Sequence, residues 1–379
     1  MDEPRKILFL NHVSRMSGAE NSLLSLVAAL NRKKFRPLLV CPGDGLLPDM
    51  VRKVEVATHY LPLKRLYRTI NPFRLLAYGL HILRVARRIR KLVKAEGVSL
   101  VHANSTTAQI YGGLAAWMAG VPSVWHVRDL VPLGWLGAWL CRLSSRIVAI
   151  SLAVARCVSP SCRYDERINV IHNGIHVESF RWHTRAGKIR GELGLTDGDR
   201  IVSMVGQIVP WKGHATFIRA LAQIPEAVGL IVGNDLFGDH ADLLNSLHAL
   251  SRDLGVGDRI IFLGWRDDVP DILMDTDVLA LPSEAEPFGR VALEAMALGK
   301  PVVGTLAGGL PEIVVQGKTG ILVEPGDADQ MAQAIRSLLN EPDVARAMGE
   351  AGLERVRSHF SVASCVHDIE EVYDELLGA

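Results

Sequence analysis

The feature that constrains this chain most is one pattern read twice. Residues 6–11 (Lys-Ile-Leu-Phe-Leu-Asn) are a short apolar run, followed by a loop through Ser17 and Gly18 and then by residues 19–30 with helical apolar spacing. Further short runs stand at 37–41, 99–103, 123–126 and 146–150, with helical segments between several of them. The series then restarts: a strand at 200–205, a loop at 206–213, a helix near 214–223, and strands at 229–232, 259–263, 277–281 and 301–303. Strands alternating with helices predict mostly parallel sheets covered on both faces, so the fold class is α/β with two Rossmann-like, doubly wound domains. Sheets of this kind bind ligands beyond the carboxyl ends of their strands, and the two are expected to face each other across a cleft. The expected division is a first domain at 1–175, a linker region at 176–199 and a second domain at 200–358. A last helix at 359–379 could lie against either half.

Length and composition agree with this division. At 379 residues the chain exceeds what one hydrophobic core usually supports. With 49% hydrophobic and 22% charged residues, it reads as a globular enzyme rather than a disordered or fibrous chain. The net charge of +1 names no partner. Cys41, Cys141, Cys157, Cys162 and Cys365 are odd in number and show no metal-ligand spacing, so neither a disulfide framework nor a zinc site is expected. The apolar run near the start is too short, and too acidic in front, for a signal peptide. No stretch is long enough for a membrane span, so a cytoplasmic protein with at most peripheral contact at the inner face of the membrane is expected.

The stretch with most chemical content is residues 283–303. Strand 277–281 turns there into a helix, so the backbone N–H groups of Phe288, Gly289, Arg290 and Val291 fall where a helix start leaves donors facing outward. Such a start suits an anion. Glu286 lies in the loop and Glu294 inside the helix, whose neighbours Leu293, Ala295, Met296 and Ala297 are apolar. A carboxylate in that setting needs a partner.

Glu286 and Glu294 match the E-x7-E pattern of retaining nucleotide-sugar glycosyltransferases, and the chain resembles glycosyltransferase family 4 of the GT-B fold. The resemblance runs along nearly the whole chain. It includes Ser17-Gly18-Ala19-Glu20, His126, Asn173-Gly174-Ile175, Lys212-Gly213, the block from Glu286 to Glu294, and Gly308-Gly309-Leu310-Pro311-Glu312. It implies an acceptor domain followed by a nucleotide-sugar domain, and retention by front-face attack. It also implies that Glu286 lies beside the donor sugar, that the backbone at Phe288 and Gly289 meets its hydroxyls, and that Glu294 holds the ribose. A carboxylate suits both tasks because it accepts two hydroxyl hydrogen bonds at once.

Lys212 follows the first strand and loop of the second series, where a cation can neutralise a leaving diphosphate. The family usually has an arginine after the glycine of this loop, and here that place is Gln207, which can donate to phosphate but adds no charge. By the resemblance His126 is placed at the cleft beside sugar and acceptor, and Gly18 lets the backbone approach the diphosphate. The plain alternatives are a packing histidine and a tight turn. Catalytic candidates are thus Glu286, His126 and Lys212. Donor-binding candidates are Gly18, Gln207, Phe288, Gly289, Arg290, Val291 and Glu294. Asp275-Thr276-Asp277 and Asp327-Ala328-Asp329 look like metal-binding DxD sites but read as a strand start and a helix cap. No metal and no cofactor is expected; the substrate is a nucleoside-diphosphate sugar, of the UDP or GDP type.

Three rival readings stand beside this one. A nicotinamide-dependent dehydrogenase shares the sheets but needs a GxGxxG that neither first strand supplies. A non-catalytic sugar-nucleotide or glycan-binding protein would explain Gln207 as lost charge. A GT-B epimerase would form product without an acceptor. For the acceptor, a carbohydrate or a lipid-linked glycan, the sequence offers one pointer. Between residues 64 and 94 the bases Lys64, Arg65, Arg68, Arg74, Arg84, Arg87, Arg88, Arg90, Lys91 and Lys94 are interrupted by no acid. Leu76, Leu80, Leu83, Arg87 and Arg90 or Lys91 trace a face that is first apolar and then cationic, which suits an anionic membrane surface or an ordinary surface helix. Trp135 and Trp139 in the apolar run 130–141 add interface-seeking aromatics. Nucleic acid is not expected as a partner.

Overall fold

The computed structural model describes residues 3–65, 71–162, 165–182, 184–236 and 238–378. The chain forms two compact units, one of Met1–Gly174 with Val362–Ala379 and the other of Ile175–Ser361.

The first unit holds strands β1 (Arg5–Leu10), β2 (Phe35–Cys41), β3 (Ala57–Tyr60), β4 (Val98–Ala103), β5 (Ser123–Val127), β6 (Arg146–Ala149) and β7 (Ile168–Val170). They form one parallel sheet in the order β3-β2-β1-β4-β5-β6-β7. Side chains alternate across a strand, so a run apolar at every position needs cover on both faces. β1 obeys this: Ile7 and Phe9 join one core cluster, Leu8 and Leu10 the other. The first face is covered by helix Gly18–Ala29 and by the last helix, Val362–Leu377, through Val366, Ile369, Val372 and Tyr373. Helices Pro72–Glu96 and Thr106–Ala119 cover the second.

The second unit repeats the plan with β8 (Arg200–Val205), β9 (Ala227–Val232), β10 (Ile260–Gly264), β11 (Val278–Leu281), β12 (Val302–Thr305) and β13 (Gly320–Val323), in the parallel order β10-β9-β8-β11-β12-β13. Val202 and Met204 of β8 pack with helices His214–Ala222 and Ala328–Asn340, while Ile201 packs with Ile189 and Ile272 on the other face.

Three strands escape the sequence reading. β3 and β7 are edge strands of four and three residues with no buried position, so they carry no apolar run. β13 is a four-residue edge strand in its own sheet. The segment read as a linker carries helices Val177–Trp182 and Lys188–Leu193. Asp275 accepts from the amides of Gly187, Ile189 and Arg190 at the start of the second of these, at 2.6, 2.8 and 3.1 Å. Asp277 accepts from the Ile201 amide at 2.7 Å, and Asp327 caps its helix by accepting from the Gln330 amide at 2.9 Å. Asp275, Asp277 and Asp327 thus hold backbone in place, while Asp329 accepts from the Gln223 side chain at 2.7 Å.

One expectation is corrected. Cys141 and Cys162 form a disulfide across 21 residues. The helix Gly134–Leu143 and the turn Ser159–Ser161 bring their Cα atoms to 5.7 Å, within the normal bridging range, and no sequence spacing announces such a pairing.

Candidate functional site

In a doubly wound sheet the strand order reverses at one place, and the loops leaving the two strands there part to opposite faces and open a crevice. In the second unit that place lies between β8 and β11. The loop after β8 carries Lys212 and the loop after β11 carries Glu286. Their side chains meet, with the ammonium Nζ 2.6 Å from Oε2 of Glu286. Ser283 donates its hydroxyl to the same oxygen at 3.0 Å. Glu286 is 5% exposed, so this carboxylate sits in a largely dry place with two donors on one oxygen.

Backbone geometry fixes Glu286 from below. Gly309 donates its amide to the Glu286 carbonyl at 2.8 Å, and Gly308 sits at φ 59°, where a Cβ would come within 1.9 Å of that carbonyl oxygen. Only glycine fits there. Lys212 is fixed in a similar way, since Gly213 at φ 76° lies against the Pro282 carbonyl, which a Cβ would approach to 2.1 Å.

The helix Arg290–Ala297 starts beside this pair, and its N-cap, Gly289, has no side chain with which to close the helix start. Arg290 donates through Nε to Oε1 of Glu294 one turn on, at 3.0 Å. Burial raises the Glu294 pKa above the ordinary carboxylate value, and Arg290 opposes that rise. Gln207 is half-buried in the loop after β8, where Val209 donates its amide to the Gln207 carbonyl at 3.0 Å. Phe288 is buried and its ring lies edge-on to Phe360 at 6.2 Å. Val291 is half-buried in the first turn of the helix.

In the first unit the order reverses between β1 and β4. Asn11 directly follows β1 and Asn104 directly follows β4. Asn104 donates to the Asn11 side chain at 2.9 Å, and Asn11 donates to Glu20 at 2.9 Å. Gly18 opens the helix that holds Glu20, and the Ser17 hydroxyl turns to that carboxylate instead of capping the helix. Arg128, just past β5, donates to Asn104 through Nε and Nη2 at 2.9 and 2.7 Å and to Asn173 at 2.9 Å. His126 ends up buried at 2% exposure, with Nδ1 3.1 Å from Nε2 of His102. Burial first, and Arg128 second, hold the His126 pKa well below the ordinary value, so its ring is neutral.

The sequence candidates therefore fall into two groups. Lys212, Glu286, Phe288, Gly289, Arg290, Val291, Glu294 and Gln207 belong to the second unit; Gly18 and His126 belong to the first. Asn11, His102, Asn104 and Arg128 were not singled out. Their signal was available: each is a polar residue inside or just beyond an apolar strand, where a polar group must be satisfied.

Two further features concern the surface. The helix Pro72–Glu96 buries Val85, Ala86, Ile89 and Val93, so its later turns have an ordinary core stripe. Its first turns do not. Phe73 and Leu76 are 82% and 63% exposed, Leu75 and Leu80 are also exposed, and so are Arg74, Arg84, Arg87, Arg88, Lys91 and Lys94. Arg90 is half-buried and donates to the Met118 carbonyl. Arg68 lies outside the described residues. Trp135 is 83% exposed and Trp139 half-buried. No helix among the described residues is long and apolar enough to cross a membrane, and no group of three or more His, Cys, Asp or Glu among them could hold a metal ion.

Comparison with known proteins agrees with both halves. Residues 16–179 match the family model described as Glycosyltransferase Family 4, and residues 186–355 match Glycosyl transferases group 1. The chain is 26% identical to the UDP-Gal:alpha-D-GlcNAc-diphosphoundecaprenol alpha-1,3-galactosyltransferase of Escherichia coli, over 98% of this chain and 97% of that one. It is 28% identical to the N-acetyl-alpha-D-glucosaminyl L-malate synthase of Bacillus anthracis, over 82% and 83%. Among solved structures, HepE of Anabaena in complex with UDP and glucose aligns with a TM-score of 0.84 at 26% identity, covering 98% of this chain and 99% of that one. With UDP-glucose bound, the same protein gives a TM-score of 0.83 at 27% identity. Two parallel Rossmann-like sheets, each with polar residues gathered where its strand order reverses, and matches that run the length of the chain identify it as a GT-B glycosyltransferase of the family 4 and group 1 type, an enzyme that transfers a sugar from a nucleoside-diphosphate-sugar donor.

Proposed function

We propose that this enzyme is a retaining glycosyltransferase that uses a UDP-sugar without a metal ion and delivers the sugar to a lipid-linked acceptor at an anionic membrane surface. The observation that carries the catalytic part is the Lys212–Glu286 pair at the β8/β11 reversal. A carboxylate offers Lys212 one negative charge, whereas a leaving nucleoside diphosphate offers more, so the incoming donor competes for the ammonium. The exchange puts a cation on the developing charge of the leaving group. It also frees Glu286 to accept hydroxyls of the sugar. Arg290 holds Glu294 in place for the ribose, and the open helix start at Gly289 faces the donor's oxygens. The diphosphate oxygen leaving the sugar takes the acceptor's proton on the same face, which retains the anomeric configuration.

The nucleotide assignment rests on HepE, solved with UDP-glucose, and on the E. coli relative, named for UDP-Gal. The test is UDP release from a panel of UDP-sugars, with GDP-sugars as the contrast, before and after exhaustive chelation. Release from a UDP-sugar that survives chelation is the expected result. Turnover that is lost on chelation and restored by a divalent ion refutes the metal-free route. Absence of release from every donor favours a non-catalytic binding protein.

The acceptor assignment rests on the exposed Phe73, Leu76 and Leu80 beside a one-signed surface, and on the name of the E. coli relative, whose acceptor is diphosphoundecaprenol-linked. Each Lys or Arg close to an anionic bilayer contributes about 1 kcal/mol, fading within a Debye length. Binding to vesicles containing acidic lipid is therefore expected at low salt and lost at high salt. It should also fall sharply when Arg84, Arg87, Arg88 and Lys91 are changed to glutamine. Equal binding to neutral and acidic vesicles, or none to either, favours a soluble acceptor.

A further inference from the structure

We propose that Ser283 is a positioning residue whose hydroxyl holds Oε2 of Glu286 while Lys212 leaves that oxygen for the diphosphate, so that Oε1 stays aimed at the sugar. The proposal rests on the reading above that Lys212 and Glu286 serve different parts of one donor, and it names what keeps Glu286 in place once its cation has gone.

The argument begins with which oxygen is used. The Lys212 ammonium at 2.6 Å and the Ser283 hydroxyl at 3.0 Å both meet Oε2. Oε1 receives no hydrogen bond from the described residues. A carboxylate oxygen has two lone pairs, so Oε2 is filled by the protein and Oε1 is left for a ligand.

The two donors on Oε2 differ in freedom. Ser283 directly precedes the turn that carries Glu286, and its carbonyl accepts from the Thr305 hydroxyl, at the end of β12, at 2.5 Å. Ser283 and Thr305 are 1% and 0% exposed. The next amide, that of Glu284, donates to the Trp211 carbonyl at 2.8 Å, and Gly213 lies against the Pro282 carbonyl. The loop bearing Ser283 is therefore tied on one side to β12 and on the other to the loop bearing Lys212. A serine hydroxyl on a fixed backbone turns about a single bond. Lys212 is half-buried and carries its charge on a flexible four-carbon stem. Exchange of Lys212 from Glu286 to diphosphate is thus a movement of one side chain between tied loops, and Ser283 stays where it is.

The hydroxyl matters at one stage. In the empty enzyme Lys212 holds Oε2 as well, so loss of Ser283 leaves the carboxylate with a partner. With UDP alone, Lys212 has turned away but the place of the sugar holds water, which can donate to Glu286. With the whole nucleotide sugar bound, that water is displaced, and Ser283 is the side-chain donor left on Oε2 among the described residues. A hydrogen bond to a charged acceptor is of the strong kind, so its loss there frees the carboxylate to swing off the sugar.

The experiment compares Ser283→Ala with the wild type in the full enzyme, using the UDP-sugar that the release panel identifies. The kcat at saturating donor is expected to fall about tenfold. The Kd for free UDP should stay within twofold, and the denaturant midpoint of the empty enzyme should stay close to that of the wild type. In the Glu286→Ala background, where no carboxylate remains to be held, Ser283→Ala should change kcat by less than twofold. A merely structural serine would lower the midpoint and the UDP affinity together and would act alike in both backgrounds, and that result overturns the proposal. A Ser283→Ala enzyme within twofold of wild-type kcat, beside an impaired Glu286→Ala, overturns it as well and leaves the catalytic reading standing. If Glu286→Ala itself turns over within threefold of the wild type, the catalytic reading fails and this proposal falls with it.

Discussion

Lys212→Ala is expected to lower turnover by about 10²–10³, the usual cost of removing a donor aimed at charge that develops in the transition state. Two effects act together. The leaving diphosphate loses its cation, and Glu286, 5% exposed, keeps only the Ser283 hydroxyl as a side-chain donor among the described residues. A buried carboxylate stripped of its counter-ion is costly, so the empty enzyme is expected to lose stability as well, on the order of 3 kcal/mol. Lys212→Arg separates the two. Arginine restores a charge but spreads it over a planar fork with a different reach, so stability should return further than turnover does. The check is kcat with saturating donor, beside denaturant midpoints for the three proteins. A Lys212→Ala enzyme within threefold of wild type removes Lys212 from the chemistry.

Much of this arrangement was legible in the sequence because it follows from period and punctuation. Strands such as β1 and β8 are apolar at successive positions since both faces of a parallel sheet are covered, and each ends at a glycine-bearing loop. Glu294 stood out as a carboxylate in an apolar helix, and Glu286 by its E-x7-E spacing from it. The pairing of Lys212 with Glu286 did not, because 74 residues separate them and only the β8–β11 neighbourhood brings them together. Gln207 in the usual arginine position is less of a departure once Lys212 is seen lying over Gly206: a Cβ on that glycine would be 3.9 Å from the ammonium. The contact between the Tyr373 hydroxyl and Nδ1 of His102 was hidden for a similar reason, since it joins positions 271 residues apart. The disulfide was misjudged because a count of cysteines carries no geometry. The first half of the helix Pro72–Glu96 is the richer in apolar residues, and only packing reveals that Phe73 and Leu76 are left in water while Ile89 and Val93 are not.

Glu286 and Glu294 are assigned to opposite ends of one donor, and this division is the centre of the account. Glu286→Gln keeps the shape and loses the charge at the sugar end. It is expected to lower kcat by about 10², because a charged acceptor makes roughly twice as strong a bond as a neutral one and the sugar's charge changes most in the transition state. Free UDP, which has no sugar to present, should bind within threefold of wild type. Glu294→Gln weakens the acceptor assigned to the ribose and breaks the ion pair with Arg290. The Kd for UDP should rise about tenfold, the weight of a hydrogen bond to a charged group, with kcat at saturating donor nearly unchanged. The most direct measurement is calorimetric titration of UDP into both variants beside kcat for each. The account predicts a crossed result, with turnover lost in Glu286→Gln and nucleotide affinity lost in Glu294→Gln. Parallel losses in the two variants, or no loss in either, would contradict it.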